Sequence, residues 1–212
     1  MASFSALNAM TTPAPGSDGA ASSQGILMPK LQYRFRVLFS GIGNNNSPLD
    51  LTKQVIDVTR PNVSFPEIPL EIYNSRVYLA GKPTWEPVTF NVRDDVNGEV
   101  AKQIGNQVQK QMDFQEQASA AAGIDYKFTM KIQILDGGNG AVTPNVLEEW
   151  ELYGCYLSAV NYNTLNYGTN EAVTISATVR YDNALQSDGS GSRIGAAGYA
   201  YGQSVSGVGV TN

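Results

Sequence analysis

Between residues 31 and 183 most of the chain alternates apolar and polar positions with period two, which predicts half-buried β-strands. Leu31, Tyr33, Phe35, Val37 and Phe39 fall on one face of the first run, with Gln32, Arg34 and Arg36 on the other. Turn residues over 41–48 (Gly-Ile-Gly-Asn-Asn-Asn-Ser-Pro) end that run. A second short strand is expected over 55–59, stopped by Pro61. Val88, Phe90 and Val92 alternate with Thr89, Asn91 and Arg93, and Tyr126, Phe128, Met130, Ile132 and Ile134 oppose Lys127, Thr129, Lys131 and Gln133. The run over 149–161 lacks clean alternation and is expected to kink or bulge near Gly154. The cleanest strand has Val173, Ile175, Ala177, Val179 and Tyr181 on one face and Thr174, Ser176, Thr178 and Arg180 on the other.

One stretch breaks the pattern differently. Residues 67–95 begin as a proline-punctuated extended segment, turn at Gly81-Lys82-Pro83, and end in the strand 88–93 that leads into a helix start. Residues 72–79 suit a pleated surface, yet their apolar positions do not alternate cleanly. That mixture predicts a strand exposed in the monomer and covered by a partner. The helix is expected over 96–122, with Val100, Ile104, Val108 and Met112 recurring on one narrow face. Asp95 or Asn97 would cap its start and Gly123 end it, while Gly98 and Gly105 each weaken it by about 1 kcal/mol relative to Ala. Strands, one helix, then strands predict a mainly β (α+β) domain: an antiparallel sandwich or barrel with one flanking amphipathic helix.

The ends differ in composition. Residues 1–25 are Ala, Ser, Gly, Thr and Pro with almost no charge, and predict a flexible N-terminal arm. Residues 26–186 form the domain. Residues 187–212 form a Gly/Ser-rich C-terminal arm in which Ile194, Tyr199, Tyr201 and Val205 offer docking side chains. The first ten residues lack the charged and apolar regions of a secretory signal, and no apolar run reaches the ~20 residues of a membrane-spanning helix. The sequence reads as a soluble protein made inside a cell.

Charge and composition narrow the chemistry. The 212 residues carry 14 basic and 19 acidic side chains, net −5, with one cysteine and no histidine. A phosphate-gripping protein needs a basic footprint, which this chain lacks. One cysteine excludes an internal disulfide framework, and the absence of His excludes imidazole-based catalysis and the usual nitrogen–sulfur zinc sites. Asp94-Asp95 stands at a helix start, where acidic residues cap and complement the dipole. Asp136-Gly-Gly-Asn-Gly140 lacks the later ligands of a calcium loop and reads as a turn. Cys155 sits in an apolar run as a small core residue. Tyr153, Tyr156, Tyr162 and Tyr167 cluster, which suits either a wet interface or sheet packing. Glu149 and Glu151 share one strand face, either as surface or lumen carboxylates or as an acid pair on a glycan. No catalytic, cofactor or metal set emerges from the residues.

Four runs in order resemble the tail tube protein of contractile-tailed bacteriophages, whose fold is shared with pyocin and type VI secretion tubes. Phe35-Arg-Val-Leu-Phe39 is similar to the first core strand of that family. The run from Arg76 to Asp95 resembles its aromatic-Gly-basic hairpin, strand and helix opening. Trp150-Glu-Leu-Tyr-Gly-Cys-Tyr-Leu-Ser-Ala-Val160 resembles its kinked strand, and Asn170-Glu-Ala-Val-Thr-Ile-Ser-Ala-Thr-Val-Arg-Tyr-Asp182 its closing strand. The long arms and the Gln-rich helix depart from the minimal domain.

The resemblance implies a structural virion protein. Its subunits would close sheets into a hexameric β-barrel ring, and rings would stack into an inner tail tube that conducts DNA from capsid to host inside a contractile sheath. Implied partners are further copies of the chain, the sheath protein, baseplate or hub and tail terminator proteins, a tape measure protein in the lumen, and DNA passing without specific binding. Assembly in the host cytoplasm, location in the virion tail and no membrane insertion follow from the same likeness. A baseplate tube initiator, a terminal ring or the tube of another injection system are the neighbouring alternatives. A β-rich glycan-binding virion protein using Glu149 and Glu151 is a more distant one. The acidic balance suits a conduit that must not hold phosphates. Glu67, Glu71, Tyr73, Arg76, Tyr78, Gly81 and Trp85 are the expected contacts between subunits or rings.

Overall fold

The computed structural model describes residues 11–15, 21–25, 29–43, 48–137 and 143–194, with backbone alone for 11–15, 21–25 and 48–50. The chain divides into two units, Met1–Arg34 and Phe35–Asn212. In the first, β1 (Thr11–Pro15) and β2 (Ala21–Gly25) pair antiparallel within the expected N-terminal arm. The strand expected from Leu31 does not begin there. The amide of Arg34 bonds Leu31 O at 3.2 Å in a turn, and Tyr33 is exposed.

The second unit runs β3 (Phe35–Ser40), α1 (Pro48–Gln54), β4 (Val55–Val58), β5 (Val63–Ser64), β6 (Glu67–Ile72), β7 (Ser75–Ala80), β8 (Thr84–Trp85) and β9 (Val88–Arg93). It continues through α2 (Glu99–Gln111), β10 (Met112–Asp113), β11 (Ala118–Ser119), a 3-10 turn over Gly123–Asp125, β12 (Phe128–Leu135), β13 (Val146–Asn161), β14 (Thr174–Arg180) and β15 (Asn183–Asp188). Every described strand pair is antiparallel. The main path is β3-β12-β13-β14-β9-β4, with β15 also paired to β13.

β13 serves two layers. Its first part pairs β12 on one side and β15 on the other, and its last part pairs β14. The change falls at Gly154, where φ is +66° and the register against β12 slips between Phe128 and Met130. Opposite it the Asp182 amide bonds Tyr153 O at 3.0 Å, so β14 hands over to β15 at the same corner. The kink expected at Gly154 is therefore a layer change. Phe39 of β3 and Phe90 of β9, far apart along the sheet path, bring their rings to 5.2 Å, so the bent sheet closes over a common core. Val37, Leu51, Val92, Met130, Ile132 and Leu152 fill it, and each is essentially buried. Burying each such side chain contributes roughly 1.5–3 kcal/mol.

The described sheet is open, with β3 and β4 at the ends of its path. The mainly β antiparallel class is as expected, but one chain does not close a barrel, and a second helix, α1, packs against β3 and α2.

The expected helix is shorter at both ends. Gly98 adopts φ +67° and the first helical residue is Glu99. Asp95 Oδ1 accepts from the Val100 amide (3.2 Å) and Asp94 Oδ1 from the Ala101 amide (3.3 Å), so both carboxylates cap the first turn and Asn97 is not the cap. At the other end Met112 is extended, and Asp113 Oδ1 takes the amides of Gln115 (2.9 Å) and Glu116 (3.4 Å). That side-chain turn competes with helix continuation. Val100 and Ile104 are buried as the stripe predicts, whereas Met112 is exposed.

Two glutamines tie α2 to the sheet. Gln107, fully buried, accepts from the Gly43 amide at 3.0 Å and donates to Tyr126 O at 2.6 Å. Gln111 donates to Leu157 O and accepts from the Leu157 amide, both at 2.9 Å, taking the edge of β13 beyond the end of β12.

Residues 44–47 of the expected 41–48 turn, 138–142 of the Asp136 loop, and Tyr199, Tyr201 and Val205 of the C-terminal arm lie outside the described residues. Asp136 itself holds Asn145 by two hydrogen bonds, 3.0 and 2.8 Å, at the base of its turn. The arm turns back at once: the Ile194 amide bonds Gln186 O at 2.8 Å and Ser187 pairs with Arg193.

Candidate functional site

The pairing of β4 with β9 does not stop at the sheet. Beyond Val58 and Phe90 the Thr59 amide bonds Thr89 O at 2.9 Å, and the Glu86 amide bonds Asn62 O at 2.9 Å. β5 pairs β8, the Gly81 amide bonds Pro66 O at 2.7 Å, and β6 pairs β7. The result is one long two-stranded ribbon leaving the sheet at the Val88 end.

Its turn is at Tyr73-Asn74, where Tyr73 has φ +48° and is fully exposed. This corrects the expected turn at Gly81-Lys82-Pro83 and the expected single strand over 72–79. Gly81 serves another purpose. A Cβ there would meet Pro66 O at 2.6 Å, so only glycine lets the two backbones approach.

The register sorts the ribbon into two faces, since opposed residues share a side. Ile68 opposes Leu79, Leu70 opposes Val77, and Ile72 opposes Ser75 on one face. Glu67 opposes Ala80, Pro69 opposes Tyr78, and Glu71 opposes Arg76 on the other. Glu71 and Arg76 form an ion pair at 2.6 Å. The five apolar side chains of the first face are each 43–60% exposed. An isolated two-stranded hairpin is marginal in water, and a contiguous apolar face of this kind marks an interaction surface.

The expected contact residues therefore divide. Glu67, Glu71, Arg76 and Tyr78 share the polar face, Tyr73 is at the tip, Gly81 is at a close backbone approach, and Trp85 is at the base. Trp85 packs on its own domain, with its ring 5.7 Å from the buried Tyr181. Sequence reading missed Ile68, Leu70, Ile72, Val77 and Leu79. Two short alternating runs carry that signal, but the turn at 73–74 shifts the phase between them. Read as one strand, they lose their alternation.

Glu149 and Glu151 lie elsewhere, on the outer face of β13. Lys131 Nζ reaches Glu149 at 3.5 Å and Glu151 at 3.0 Å. Gln133 donates to Glu149 and receives Arg36 at 2.7 and 2.9 Å, and Tyr153 OH donates to Glu151 at 2.5 Å. Burial pushes the Glu151 carboxyl up, but the hydrogen bonds from Tyr153 and Lys131 outweigh it and hold it below the usual carboxylate range. A general acid needs the opposite shift. The face is a cross-strand ladder of mixed charge.

Burial pushes the Cys155 thiol up to about 12, which suits packing and not nucleophilic chemistry. Among the described residues no group of three or more His, Cys, Asp or Glu is placed to hold a metal ion, and no helix is long and apolar enough to cross a membrane.

The ribbon, the two-layer sheet sharing one bent strand, and the flanking helix together make up the fold of the second unit. Solved structures of contractile injection systems share it. A chain of the PVC sheath-tube complex of an extracellular contractile injection system in the extended state matches with TM-score 0.56 and 14% identity, over 76% of this chain and 92% of that one. A chain of the PVC sheath/tube terminator in the extended state matches with TM-score 0.56 and 14% identity, over 77% and 99%. A chain of the anti-feeding prophage tube terminating cap matches with TM-score 0.57 and 14% identity, over 79% and 96%. No family model and no curated protein matches the chain.

Proposed function

We propose that this chain is a structural subunit of the tube of a contractile particle, acting as a conduit and not as a catalyst. The observation that carries the reading is the ribbon's apolar face, five large side chains exposed on a fold shared with chains of contractile injection systems. A monomer gains nothing from exposing that face, and a neighbouring copy would bury it. Glu67, Glu71, Tyr73, Arg76 and Tyr78 would then orient the contact, with Gly81 and Trp85 fixing the ribbon's base. The open ends of the sheet at β3 and β4 would close against neighbouring copies into a β-barrel ring of six subunits. Stacked rings would form the inner tube of a phage tail or a related particle, with sheath, baseplate or hub and terminator proteins outside and at the ends. A tape measure protein and then DNA would occupy the lumen. Residues 1–25 and 187–212 are the arms of this subunit, and its place is the virion tail after assembly in the host cytoplasm.

Electron microscopy and analytical ultracentrifugation of the purified chain test this. Rings or tubes are expected, and Leu70→Asp is expected to abolish them without lowering the melting temperature. A strictly monomeric chain over a wide concentration range would sink the proposal.

A terminal ring is the second reading, supported by the fold likeness to the terminator and cap chains. Single rings that bind preformed tubes but never extend would favour it.

A further inference from the structure

The half of β13 beyond Gly154 has an open side. Pairing with β12 ends where Phe128 opposes Cys155, and residues 156–161 have β14 as their only strand partner among the described residues. The open side of a strand presents amides and carbonyls that template the addition of another strand. Local sequence makes this edge a hazard. Gly154-Cys-Tyr-Leu-Ser-Ala-Val160 carries no charge and no proline, and Tyr156 and Val160 favour extended backbone. The lysine or proline with which natural sheets blunt their edges is missing from it.

One side chain occupies that open side. Gln111 donates to Leu157 O and accepts from the Leu157 amide, both at 2.9 Å. An amide that gives and takes with one residue reproduces the two-bond pair of an antiparallel ladder. Its position is fixed from one turn earlier on the same face of α2. There the fully buried Gln107 accepts from the Gly43 amide at 3.0 Å and donates to Tyr126 O at 2.6 Å. The Tyr126 ring meets Tyr156 of the edge in a T-shaped contact, 6.3 Å between centroids. Further along, the register against β14 slips between Leu157 and Ala159, and Asn161 Oδ1 takes the Asn163 amide at 2.9 Å. A bulge and a side-chain turn thus finish the edge that Gln111 begins to cover.

We propose that Gln111 is an edge guard: its amide stands in for a strand at Leu157 and denies the second half of β13 to extended segments of other chains.

The chemistry of the side chain suits that task. An apolar residue at 111 would shield Leu157 from water and leave its amide and carbonyl unpaired. A true strand in the same place would satisfy both and pass a new open edge one strand outward. A glutamine satisfies both and has no further edge to offer, so the sheet stops there. The helix ends at Gln111, with Met112 extended, so α2 delivers its last side chain to the strand and goes no further along it. The guard acts in the single chain, and the inference therefore stands or falls independently of the proposed function.

The test separates guarding from stability. Gln111→Ala is compared in the full chain with Val37→Ala, a core truncation on β3. Both are held at urea concentrations that give them the same unfolded fraction. Thioflavin T growth is followed, with micrographs telling fibrils from rings or tubes. Several-fold faster fibril growth is expected from Gln111→Ala, and equal rates would overturn the inference. Ala159→Lys, at an exposed position of the same edge, is then added to Gln111→Ala. It is expected to return growth to the rate of Val37→Ala without restoring the melting temperature. Growth unchanged by the lysine overturns the inference.

A milder variant decides the matter where Gln111→Ala does not fold. Gln111→Glu has the same length, keeps an acceptor for the Leu157 amide and loses the donor to Leu157 O. Its fibril growth is expected to exceed that of the parent at matched unfolded fraction, and growth no faster than the parent's overturns the inference.

Discussion

Gly154 and Asp182 face each other at the corner where β13 changes partners, and a Cβ on Gly154 would stand 2.1 Å from Asp182 Oδ2. The glycine is at φ +66°, and the Asp182 carboxylate is held by Lys127 Nζ at 2.5 Å. That hydrogen bond raises the Lys127 ammonium above its usual range. The two layers of the sheet share a strand because this one position has no side chain.

Gly154→Ala is expected to destabilise the domain by about 1–3 kcal/mol, through a left-handed backbone that alanine resists and displacement of Asp182. Combining it with Asp182→Ala relieves the clash, so the double variant should lose less than the sum of the two. Thermal melts of the four proteins check this, and strict additivity would show that the contact does not set the corner.

Gln111→Ala leaves both polar groups of Leu157 without their partner. A loss of about 1–3 kcal/mol is expected in urea unfolding. Gln109→Ala, on the same helix but with its side chain in an exposed hydrogen bond to Asp113, should change stability by less than about 0.5 kcal/mol. Equal effects would contradict the role given to Gln111.

The ladder of Lys131, Glu149 and Glu151 predicts a pH dependence with two limbs. Glu151 is held below the usual carboxylate value of 4.5, so its contribution is present above that value and is lost as pH falls through the folded one. Lys131 is raised above 10.5 by its hydrogen bond to Glu151. Its contribution is present below 10.5 and is lost as pH rises through the folded value. Lys131→Met should therefore cost about 0.5–1 kcal/mol at neutral pH and shallow both limbs. Parallel stability–pH curves for parent and variant would refute the pairing.

Cys155 should resist maleimide and iodoacetamide in the native protein and react only as the chain unfolds, since burial raises its thiol to about 12. Labelling as fast as a free thiol at pH 8 would contradict its burial. Assembly should not slow the reaction further, because the residue is already covered in the single chain.

Much of the fold is legible in the chain. Val88, Phe90 and Val92, and Ile175, Ala177 and Val179, point inward as their alternation requires, because a half-buried strand admits only period two. The capping role of Asp94 and Asp95 was readable from their place at a helix start. The helix end was not, because Asp113 competes for the backbone through a side-chain turn that no periodicity reports. α1 was hidden because residues 48–54 are too short for a helical stripe to show.

The candidate site was half legible. Local sequence determined that residues 67–79 are extended, that their apolar content exceeds what a monomer covers, and that Gly154 bends its strand. Each follows from side-chain size and backbone freedom at a single position. Only the tertiary structure decided which faces exist. The turn at Tyr73-Asn74 brings Ile68, Leu70, Ile72, Val77 and Leu79 to one side, and strand register is a relation between two segments. It also decided that the ribbon and the loop before β14 stand at opposite ends of β9, since Val88 meets Val179 and Arg93 meets Thr174 only through long-range pairing, which no local pattern encodes.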